Sequence, residues 1–436
     1  MKLDPRDRAA LLWIFGVALA IRIVLAFATA AEPLRGDAGL YDELARSIAA
    51  GKGYVVSSGK PTSFYMPLYP LLLGSVYALF GEDHLYAKLA QAFLGAATCG
   101  VIFLIGRKLF DRTAGLLAAG MAIVHYYFLV MGTLLLTETL LALLLSVFTL
   151  IWIRWREEKN PWRAGILGLI CALATLTKST YALLPFLVLA IECSVSWSQE
   201  AAGARRMRWA QGMLLLGCFM LPLSVWTVRN YLVHQAFVPL ATQGGMVLYM
   251  SYNPSQGKVL GIHPEDEVTR RARERSASEV EWDRALLRAA AQSLREEPSR
   301  IYRYLPLKAL NFWSVLDWEI LRGGVYNFAT AFTLPLALLG IVIAGSRPGE
   351  LLPLLAPIMY LFGAALVTYG LPRFRFPVEP HIVILAGAGM LVCWRRLKWT
   401  GAIVVIVWLG INILLFFASS QLKELARSVM QVLGLW

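Results

Sequence analysis

Apolar runs long enough to cross a bilayer recur along the whole chain, and they constrain its fold more than any other feature. A transmembrane helix needs about 20 mostly apolar residues. Open sheets cannot span lipid, because their edges leave backbone groups unpaired, and a barrel would show shorter alternating segments. The runs therefore predict an all-α polytopic transmembrane bundle of about 11 spans plus interfacial helices. The predicted spans lie near 9–30, 85–106, 113–131, 133–153, 162–178, 180–198, 209–227, 325–345, 350–370, 377–394 and 400–418.

Composition agrees with a chain whose main solvent is lipid. Hydrophobic residues make up 58% of the sequence and charged residues only 16%, too few for the surface of a soluble protein of this length. The formal net charge of +13 arises from short basic clusters between the apolar runs, a pattern typical of cytoplasmic loops. We therefore expect no nucleic-acid partner. The five cysteines lie inside apolar stretches with no ligand or redox spacing.

The basic clusters also set an orientation. Under the span count above they fall on one side of the membrane, which the positive-inside rule assigns to the cytoplasm. Two long polar segments, 31–66 and 229–303, then lie on the opposite side; we call them the first and second polar loops. Residues 67–80 are apolar but too short to span, so we predict an interfacial helix there. The predicted domains are a transmembrane module, 1–420, and a short amphipathic tail, 421–436.

Within the second polar loop the sequence predicts two helices. The first carries Glu279, Trp282 and Leu286 on a shared face and ends at Pro298. The second, over 301–316, is amphipathic and rich in aromatic residues, as expected for a helix lying at the membrane interface.

Asp37 directly follows the first span, in the first polar loop. A carboxylate at the rim of a helix bundle can deprotonate a hydroxyl nucleophile, and neighbouring Arg35 would keep it ionised. The structural alternative is a helix N-cap, since Asp37 precedes a helix-like stretch and Asp is a favoured cap residue. Both interpretations stay open at this point.

Glu138 is predicted near the non-cytoplasmic end of an apolar span. An unpaired carboxylate inside a membrane is costly, so it should face the protein interior. There it could align an acceptor, bind a metal, or pair with a buried base such as Arg22. His125 and Tyr126 lie near the same end of the preceding span and could line the same cavity, although a tyrosine at an interface is often only an anchor.

Four cations occupy the non-cytoplasmic side against the positive-inside trend: Lys178, Arg229, Arg373 and Arg375. Snorkelling explains one such residue, but four in a chain that otherwise obeys the rule suggest an anionic ligand. A phosphate fits best, because Arg binds it through paired donors and Lys as a point charge.

The order of these residues resembles the GT-C superfamily of membrane glycosyltransferases, in the branch of the protein O-mannosyltransferases and the lipid A aminoarabinose transferase. Each segment is weak alone, and the ordered set covers most of the chain. The segments are Gly36-Asp37 with Tyr41, Ala45, Gly51-Lys52-Gly53-Tyr54, Met66-Pro67-Leu68-Tyr69-Pro70, Gly106-Arg107-Lys108-Leu109-Phe110, Thr137-Glu138, Thr177-Lys178, Val228-Arg229-Asn230-Tyr231, Gly244-Gly245, Asn253-Pro254 and Arg373 to Pro377.

The resemblance implies a sugar donor linked to polyprenyl phosphate and transfer to a hydroxyl on the periplasmic face of a bacterial inner membrane. It implies Asp37 as the base, with Glu138 as a second catalytic carboxylate. The four cations would then bind the donor phosphate. The implied substrate cavity comprises Tyr41, Tyr65, His125, Tyr126 and Asn230. Because the chain lacks the large C-terminal soluble domain of bigger relatives, we expect a lipid or glycan acceptor rather than a protein.

Two other classes remain as alternatives. A transporter or flippase of an anionic lipid would also need cations and a cavity, but inverted repeats are not evident in the sequence. A non-catalytic membrane subunit would have no need for Asp37 together with the cations. No nucleotide-binding glycine motif is found. No cofactor is assigned, and a divalent metal stays open because no carboxylate pair has convincing ligand spacing.

Overall fold

A computed structural model describes residues 4–196, 202–252, 266–317, 325–344 and 348–417. Over these ranges the chain is almost entirely helical, and the strands described there are one short antiparallel pair, β1 Leu316–Asp317 and β2 Val325–Tyr326. The predicted all-α polytopic bundle is confirmed. The predicted tail, 421–436, and residues 253–265 of the second polar loop lie outside the described residues.

Seventeen α-helices are described. In chain order they are α1 Pro5–Ala28, α2 Asp37–Ala49, α3 Leu68–Phe80, α4 His84–Leu109, α5 Arg112–Val124, α6 Tyr126–Thr133, α7 Glu138–Glu157, α8 Pro161–Thr177, α9 Leu184–Ser196, α10 Ala202–His234, α11 Gly244–Tyr252, α12 Glu267–Arg275, α13 Glu279–Glu296, α14 Ser299–Phe312, α15 Phe328–Ala344, α16 Pro348–Val367 and α17 Glu379–Phe417. Two 3-10 helices, Ser179–Leu183 and Pro372–Val378, precede α9 and α17.

Among the described residues, six helical stretches are long and apolar enough to span a membrane: α1, α4, α7, most of α10, α16 and Pro372–Arg395. The pair α5 and α6 adds a seventh if its 50° bend lies within one span. Shorter apolar helices account for the other predicted spans. The interfacial prediction for 67–80 matches α3, whose 13 residues reach only about 20 Å.

Three predicted boundaries were wrong. α7 begins at Glu138 rather than near 133, because the side-chain amide of Gln91 donates to the Leu134 carbonyl and holds that segment outside the helix. α10 continues through Arg229 and Asn230 to His234, so these two residues are helical and do not begin a loop.

The third wrong boundary concerns the last two predicted spans, 377–394 and 400–418, which form one continuous 39-residue helix, α17. No Gly or Pro occurs in 391–400 to break it, and the Arg, Leu and Lys residues there are good helix formers. At 1.5 Å per residue this helix is about 58 Å long, nearly twice the hydrocarbon thickness of a bilayer.

The chain divides into two compact units, each built from separate stretches of sequence. Unit 1 contains the described residues of 1–21, 96–131 and 243–436. Its helices α15 and α17 approach closely, because Gly340 faces the Leu385 carbonyl and Gly389 faces the Leu336 carbonyl, leaving no space for a Cβ. Small residues at such crossings are the usual way that membrane helices pack.

Unit 1 also contains the helices of the second polar loop. α13 and α14 confirm the two helices predicted there, although α14 ends at Phe312 rather than at 316. Ser278 caps α13 by accepting a hydrogen bond from the Glu281 amide, and Trp282 and Leu286 lie on its buried face as predicted.

Unit 2 contains residues 22–95 and 132–242. α8 and α10 pack closely where Gly168 faces the Leu215 carbonyl. The polar start of the unit is organised around a buried apolar cluster that joins α2 and α3 to the segment leading into α7, with Tyr41, Tyr69 and Leu135 at its centre. Packing against this cluster holds the start of α2, and therefore Asp37, in place.

Candidate active site

Asp37 is the first residue of α2, and its carboxylate is held by a tyrosine from further along the first polar loop. The N-cap position belongs to Gly36, whose φ of +55° suits glycine, so the cap alternative for Asp37 does not describe this helix. The Tyr65 hydroxyl donates to Asp37 Oδ1 at 2.9 Å. Asp37 remains partly exposed. A fixed, partly exposed carboxylate at a helix start can reach a substrate hydroxyl.

Aromatic rings connect Asp37 to the interior of unit 2. The Tyr65 ring lies 4.7 Å from that of Tyr41, which in turn meets Tyr69 edge-on at 5.2 Å. The Tyr69 hydroxyl donates to Gln91 Oε1 at 3.2 Å. Burial raises the pKa of Tyr69 well above its usual value, and the nearby Glu138 carboxylate raises it further. Asp37 and Glu138 therefore lie at two ends of one aromatic cluster.

Glu138 and Lys178 form an ion pair in this unit. The Glu138 side chain is fully buried at the start of α7, and its Oε1 lies 3.5 Å from Lys178 Nζ at the end of α8. The Thr137 hydroxyl donates to Glu138 Oε2. The pairing of Glu138 with Arg22 that the sequence suggested stays a prediction. A carboxylate can be buried in an apolar setting when a cation pairs with it, and Lys178 supplies that cation to Glu138.

Arg229 reaches across to the first polar loop. Its guanidinium donates to the carbonyls of Thr62 at 2.6 Å and Tyr54 at 3.1 Å, and to the Ser63 hydroxyl at 2.9 Å. The group also lies 4.9 Å from the ring centre of Trp226. These contacts tie the loop to α10, so Arg229 has a loop-holding role in the geometry, beside its predicted role as a phosphate ligand.

Asn230 strengthens the same connection. Its Oδ1 accepts a 2.7 Å hydrogen bond from the Ser63 hydroxyl, and its Nδ2 donates to the carbonyls of Val238 and Leu240. The hydrogen-bonding groups of this fully buried amide are therefore paired with the Ser63 hydroxyl and with two backbone carbonyls. His234 lies 2.8 Å from the same Ser63 oxygen. The sequence predicted Asn230 as a residue of the substrate cavity, and that assignment stays a prediction beside this connection.

Arg375 is held by an ion pair in unit 1. Both it and Glu379 are completely buried, with 2.8 Å between Arg375 Nε and Glu379 Oε1. Arg375 Nη1 donates to the carbonyls of Phe312 and Ser314, so the 3-10 helix is attached to the end of α14. The Thr330 hydroxyl donates to the same carboxylate oxygen at 3.3 Å.

The other predicted site residues of unit 1 are Arg373, His125 and Tyr126. Arg373 is buried, with its guanidinium 6.0 Å from the ring centre of Phe374. His125 occupies the bend between α5 and α6, buried against Phe128 at 4.9 Å. Tyr126 is half-buried, 5.9 Å from Phe328. Both ring nitrogens of His125 lack a hydrogen-bond partner among the described residues.

Comparison with known proteins gives a family match and a fold. A family model described as dolichyl-phosphate-mannose-protein mannosyltransferase matches residues 60–226. No curated protein sequence matches the chain significantly. The apo oligosaccharyltransferase of Archaeoglobus fulgidus aligns with a TM-score of 0.56 and 13% identity, over 96% of this chain and 55% of that protein. The protein has the GT-C fold.

Two further solved structures resemble this chain. The oligosaccharyltransferase AglB of A. fulgidus, in complex with an inhibitory peptide and a dolichol-phosphate, aligns with a TM-score of 0.52 and 12% identity, over 96% of this chain and 55% of AglB. ArnT of Cupriavidus metallidurans, bound to undecaprenyl phosphate, shares 18% identity over 88% of this chain and 79% of ArnT, with a TM-score of 0.42. This chain spans about half the length of the oligosaccharyltransferases.

Several polar residues with defined partners were not found from the sequence. Gln91, Ser63 and Glu379 were missed because each acts as a partner of a predicted residue, and pairing is visible only in three dimensions. Lys308 is different: it lies four residues from both Tyr304 and Phe312 on α14, which places it on the aromatic face of that helix. This four-residue spacing was the sequence signal that could have identified Lys308 as a buried residue.

Metal binding was left open by the sequence. In the part of the chain that the structure describes, no three His, Cys, Asp or Glu side chains are grouped as metal ligands would be.

Proposed function

We propose that this protein transfers a sugar from a polyprenyl-phosphate donor to a hydroxyl of a lipid or glycan acceptor, on the periplasmic face of a bacterial inner membrane. The observation that carries the proposal is Asp37, a partly exposed carboxylate held by Tyr65 at the start of α2. The GT-C fold, the match to a mannosyltransferase family model and the charge pattern of the loops support it.

The proposed reaction is a single displacement. Asp37 takes the proton of the acceptor hydroxyl as its oxygen attacks C1 of the sugar. The bond from C1 to the phosphate oxygen breaks, and the polyprenyl phosphate leaves with the bonding electron pair. The anomeric centre is therefore inverted. A phosphate leaves without a general acid, so the protein needs a cation to stabilise the charge it carries away, a role we assign to Lys178, in the unit that holds Asp37.

The two carboxylates in this proposal have different roles. Asp37 is partly exposed and can exchange a proton with substrate and water. Glu138 is fully buried and paired with Lys178, so we assign it the alignment of that lysine rather than proton transfer.

The test is turnover of undecaprenyl-phosphate-linked mannose by purified protein, with envelope lipids and glycans supplied as acceptors and released undecaprenyl phosphate as the readout. Asp37→Asn removes the base, and we expect turnover to fall by about 10²- to 10⁴-fold. The matched control is Asp83→Asn, the same change at an exposed aspartate between α3 and α4. Wild-type turnover by Asp37→Asn would overturn the assignment of the base.

One observation favours a second candidate function, transport of an anionic lipid. α5 and α6 meet at a 50° bend with buried His125 at the break, and broken helices often form transport sites. Reconstitution in vesicles with labelled undecaprenyl phosphate separates the two. A transporter moves the lipid between leaflets without a covalent product, whereas the transferase forms a glycosylated acceptor.

A further inference from the structure

Unit 1 contains a group of buried polar side chains, beside the bend between α5 and α6, that the proposed reaction does not use. The group consists of His125 at the bend, Asn327 just before α15, and the ion pair of Arg375 with Glu379. All four side chains are at most 3% exposed. We call them the bend cluster.

Each side chain of the bend cluster has a polar atom without a hydrogen-bond partner among the described residues. These atoms are both ring nitrogens of His125, Asn327 Nδ2, Arg375 Nη2 and Glu379 Oε2. A buried polar group that lacks a partner costs free energy, and a native protein usually pairs it with another group or with ordered water. Several such atoms in one place therefore point to a ligand.

Thr330 connects Asn327 to the ion pair. The Thr330 amide donates to Asn327 Oδ1 at 3.1 Å, and the Thr330 hydroxyl donates to Glu379 Oε1 at 3.3 Å. Because an amide hydrogen must meet the oxygen of the Asn327 side chain, Nδ2 is the atom that stays unpaired. On the other side of the carboxylate, Arg375 Nε lies 2.8 Å from the same Glu379 oxygen.

The bend itself lies against the 3-10 helix that carries the arginine of this pair. The His125 ring packs on Phe128, with 4.9 Å between ring centres. Phe128 in turn meets Phe376 edge-on at 5.2 Å. Both charges of the ion pair act electrostatically on the His125 ring. The unpaired nitrogens of His125 and the unpaired atoms of the ion pair therefore belong to one polar region.

The unpaired atoms include both hydrogen-bond donors and acceptors. Arg375 Nη2 and Asn327 Nδ2 only donate, Glu379 Oε2 only accepts, and a neutral His125 ring has one nitrogen of each kind. An ionised phosphate only accepts, so it would leave the carboxylate oxygen unpaired beside a second negative charge. A metal cation would meet the guanidinium. A ligand that both donates and accepts satisfies the whole set, and water is the smallest one.

The bend is a second, independent indication of water. α5 and α6 meet at 50°. Sharp helix kinks arise at proline, at Gly/Ser pairs, at π-bulges, or where a side chain or water enters the hydrogen-bond ladder. Residues 112–133 contain neither proline nor serine, and the glycine nearest to the bend, Gly120, lies more than one turn before His125. Water that enters the ladder at His125 explains both the bend and the unpaired atoms.

We propose that the bend cluster is a binding site for water inside unit 1, and that the bound water joins the bend of α5 and α6 to the Arg375–Glu379 ion pair. A buried water makes about three hydrogen bonds to groups that are otherwise unpaired. Here it can accept from Arg375 Nη2 and donate to Glu379 Oε2 and to a His125 nitrogen. The assignment does not depend on the proposed reaction, and it gives Arg375 a role other than that of the phosphate ligand predicted from the sequence.

The experiment is radiolytic footprinting of the purified full chain in detergent. A short X-ray pulse converts water to hydroxyl radicals, and a radical formed from a bound water oxidises the side chain beside it even when that side chain is buried. Phe376 is the reporter, and Phe219 on α10, which is also 2% exposed, is the matched control residue. We expect Phe376 to be oxidised about five- to tenfold faster than Phe219 in wild type.

Three variants assign the effect to His125. His125→Phe replaces the ring nitrogens by carbon at similar volume, and we expect it to slow the oxidation of Phe376 by about threefold or more. His125→Gln keeps one donor and one acceptor and should retain the fast oxidation. Tyr126→Phe, at the next residue, is the matched control and should behave as wild type. Thermal unfolding of each variant shows whether it is folded.

Fast oxidation of Phe376 in wild type and in His125→Gln, together with slow oxidation in folded His125→Phe, supports the site. Oxidation of Phe376 as slow as that of Phe219 in wild type overturns the inference, and this comparison decides if His125→Phe does not fold. Fast oxidation in folded His125→Phe also overturns it, because His125 is then not part of the site. Slower oxidation of Phe376 after addition of undecaprenyl phosphate would place an anion at the site instead of water, which overturns the inference and leaves the proposed function intact.

Discussion

The two units of this protein hold their charged side chains in different ways. In unit 2, Arg229 is bonded to carbonyls of the first polar loop, Lys178 is paired with Glu138, and buried Lys88 donates to the Thr29 carbonyl. In unit 1, Arg375 has a carboxylate partner, whereas Lys308 has none among the described residues and retains only a carbonyl and a ring. The comparison indicates that the charges named in unit 2 hold a carboxylate and a loop in place, whereas Arg375 and Glu379 of unit 1 form an ion pair that is completely buried.

The largest effect should come from separating the ion pair of unit 1. Arg375→Met leaves Glu379 buried without its partner, and we expect it to lower the free energy of unfolding by about 3 to 5 kcal/mol. The double variant Arg375→Met/Glu379→Leu removes both charges and should recover most of the loss. Thermal and chemical unfolding in detergent measures all three proteins.

An exposed ion pair in the same unit is the control for this prediction. Arg270 and Glu274 lie 3.5 Å apart with both side chains 60% exposed, so Arg270→Met should change stability by less than about 1 kcal/mol. If the double variant is as unstable as Arg375→Met alone, the guanidinium serves the fold mainly through the Phe312 and Ser314 carbonyls rather than through the ion pair.

How much of this arrangement follows from sequence depends on the kind of signal. Asp37 and Arg373 were found because a charge beside an apolar span is conspicuous in one dimension. Lys308 was missed because a single lysine on an amphipathic helix resembles an interfacial anchor unless its face is checked against Tyr304 and Phe312. The start of α7 involves a hydrogen bond from Gln91 to the Leu134 carbonyl. In the last turns of α10, Arg229 is bonded to the distant Thr62 carbonyl. Local helix propensity encodes neither contact.

An intermediate effect is expected at Arg229, where a substitution tests whether the side chain holds the first polar loop or binds the phosphate. Arg229→Lys loses at least two of the hydrogen bonds to Thr62, Ser63 and Tyr54, and we expect a loss of about 1 to 3 kcal/mol of stability. Amide hydrogen exchange over residues 52–63 should accelerate, while affinity for undecaprenyl phosphate changes by less than about threefold. Arg303→Lys is the exposed control. A loss of phosphate affinity above about tenfold with normal exchange would make Arg229 a ligand, as predicted from the sequence.

The smallest effect concerns how firmly Asp37 is held. Tyr65→Phe removes the hydroxyl that donates to Asp37 Oδ1 and leaves the ring packed on Tyr41. We expect kcat to fall by about three- to tenfold through looser positioning of the carboxylate, with the KM for the lipid donor unchanged. Tyr302→Phe, at a tyrosine that is 77% exposed on α14, should leave both constants unaltered. A rise in KM at constant kcat would instead assign Tyr65 to donor binding.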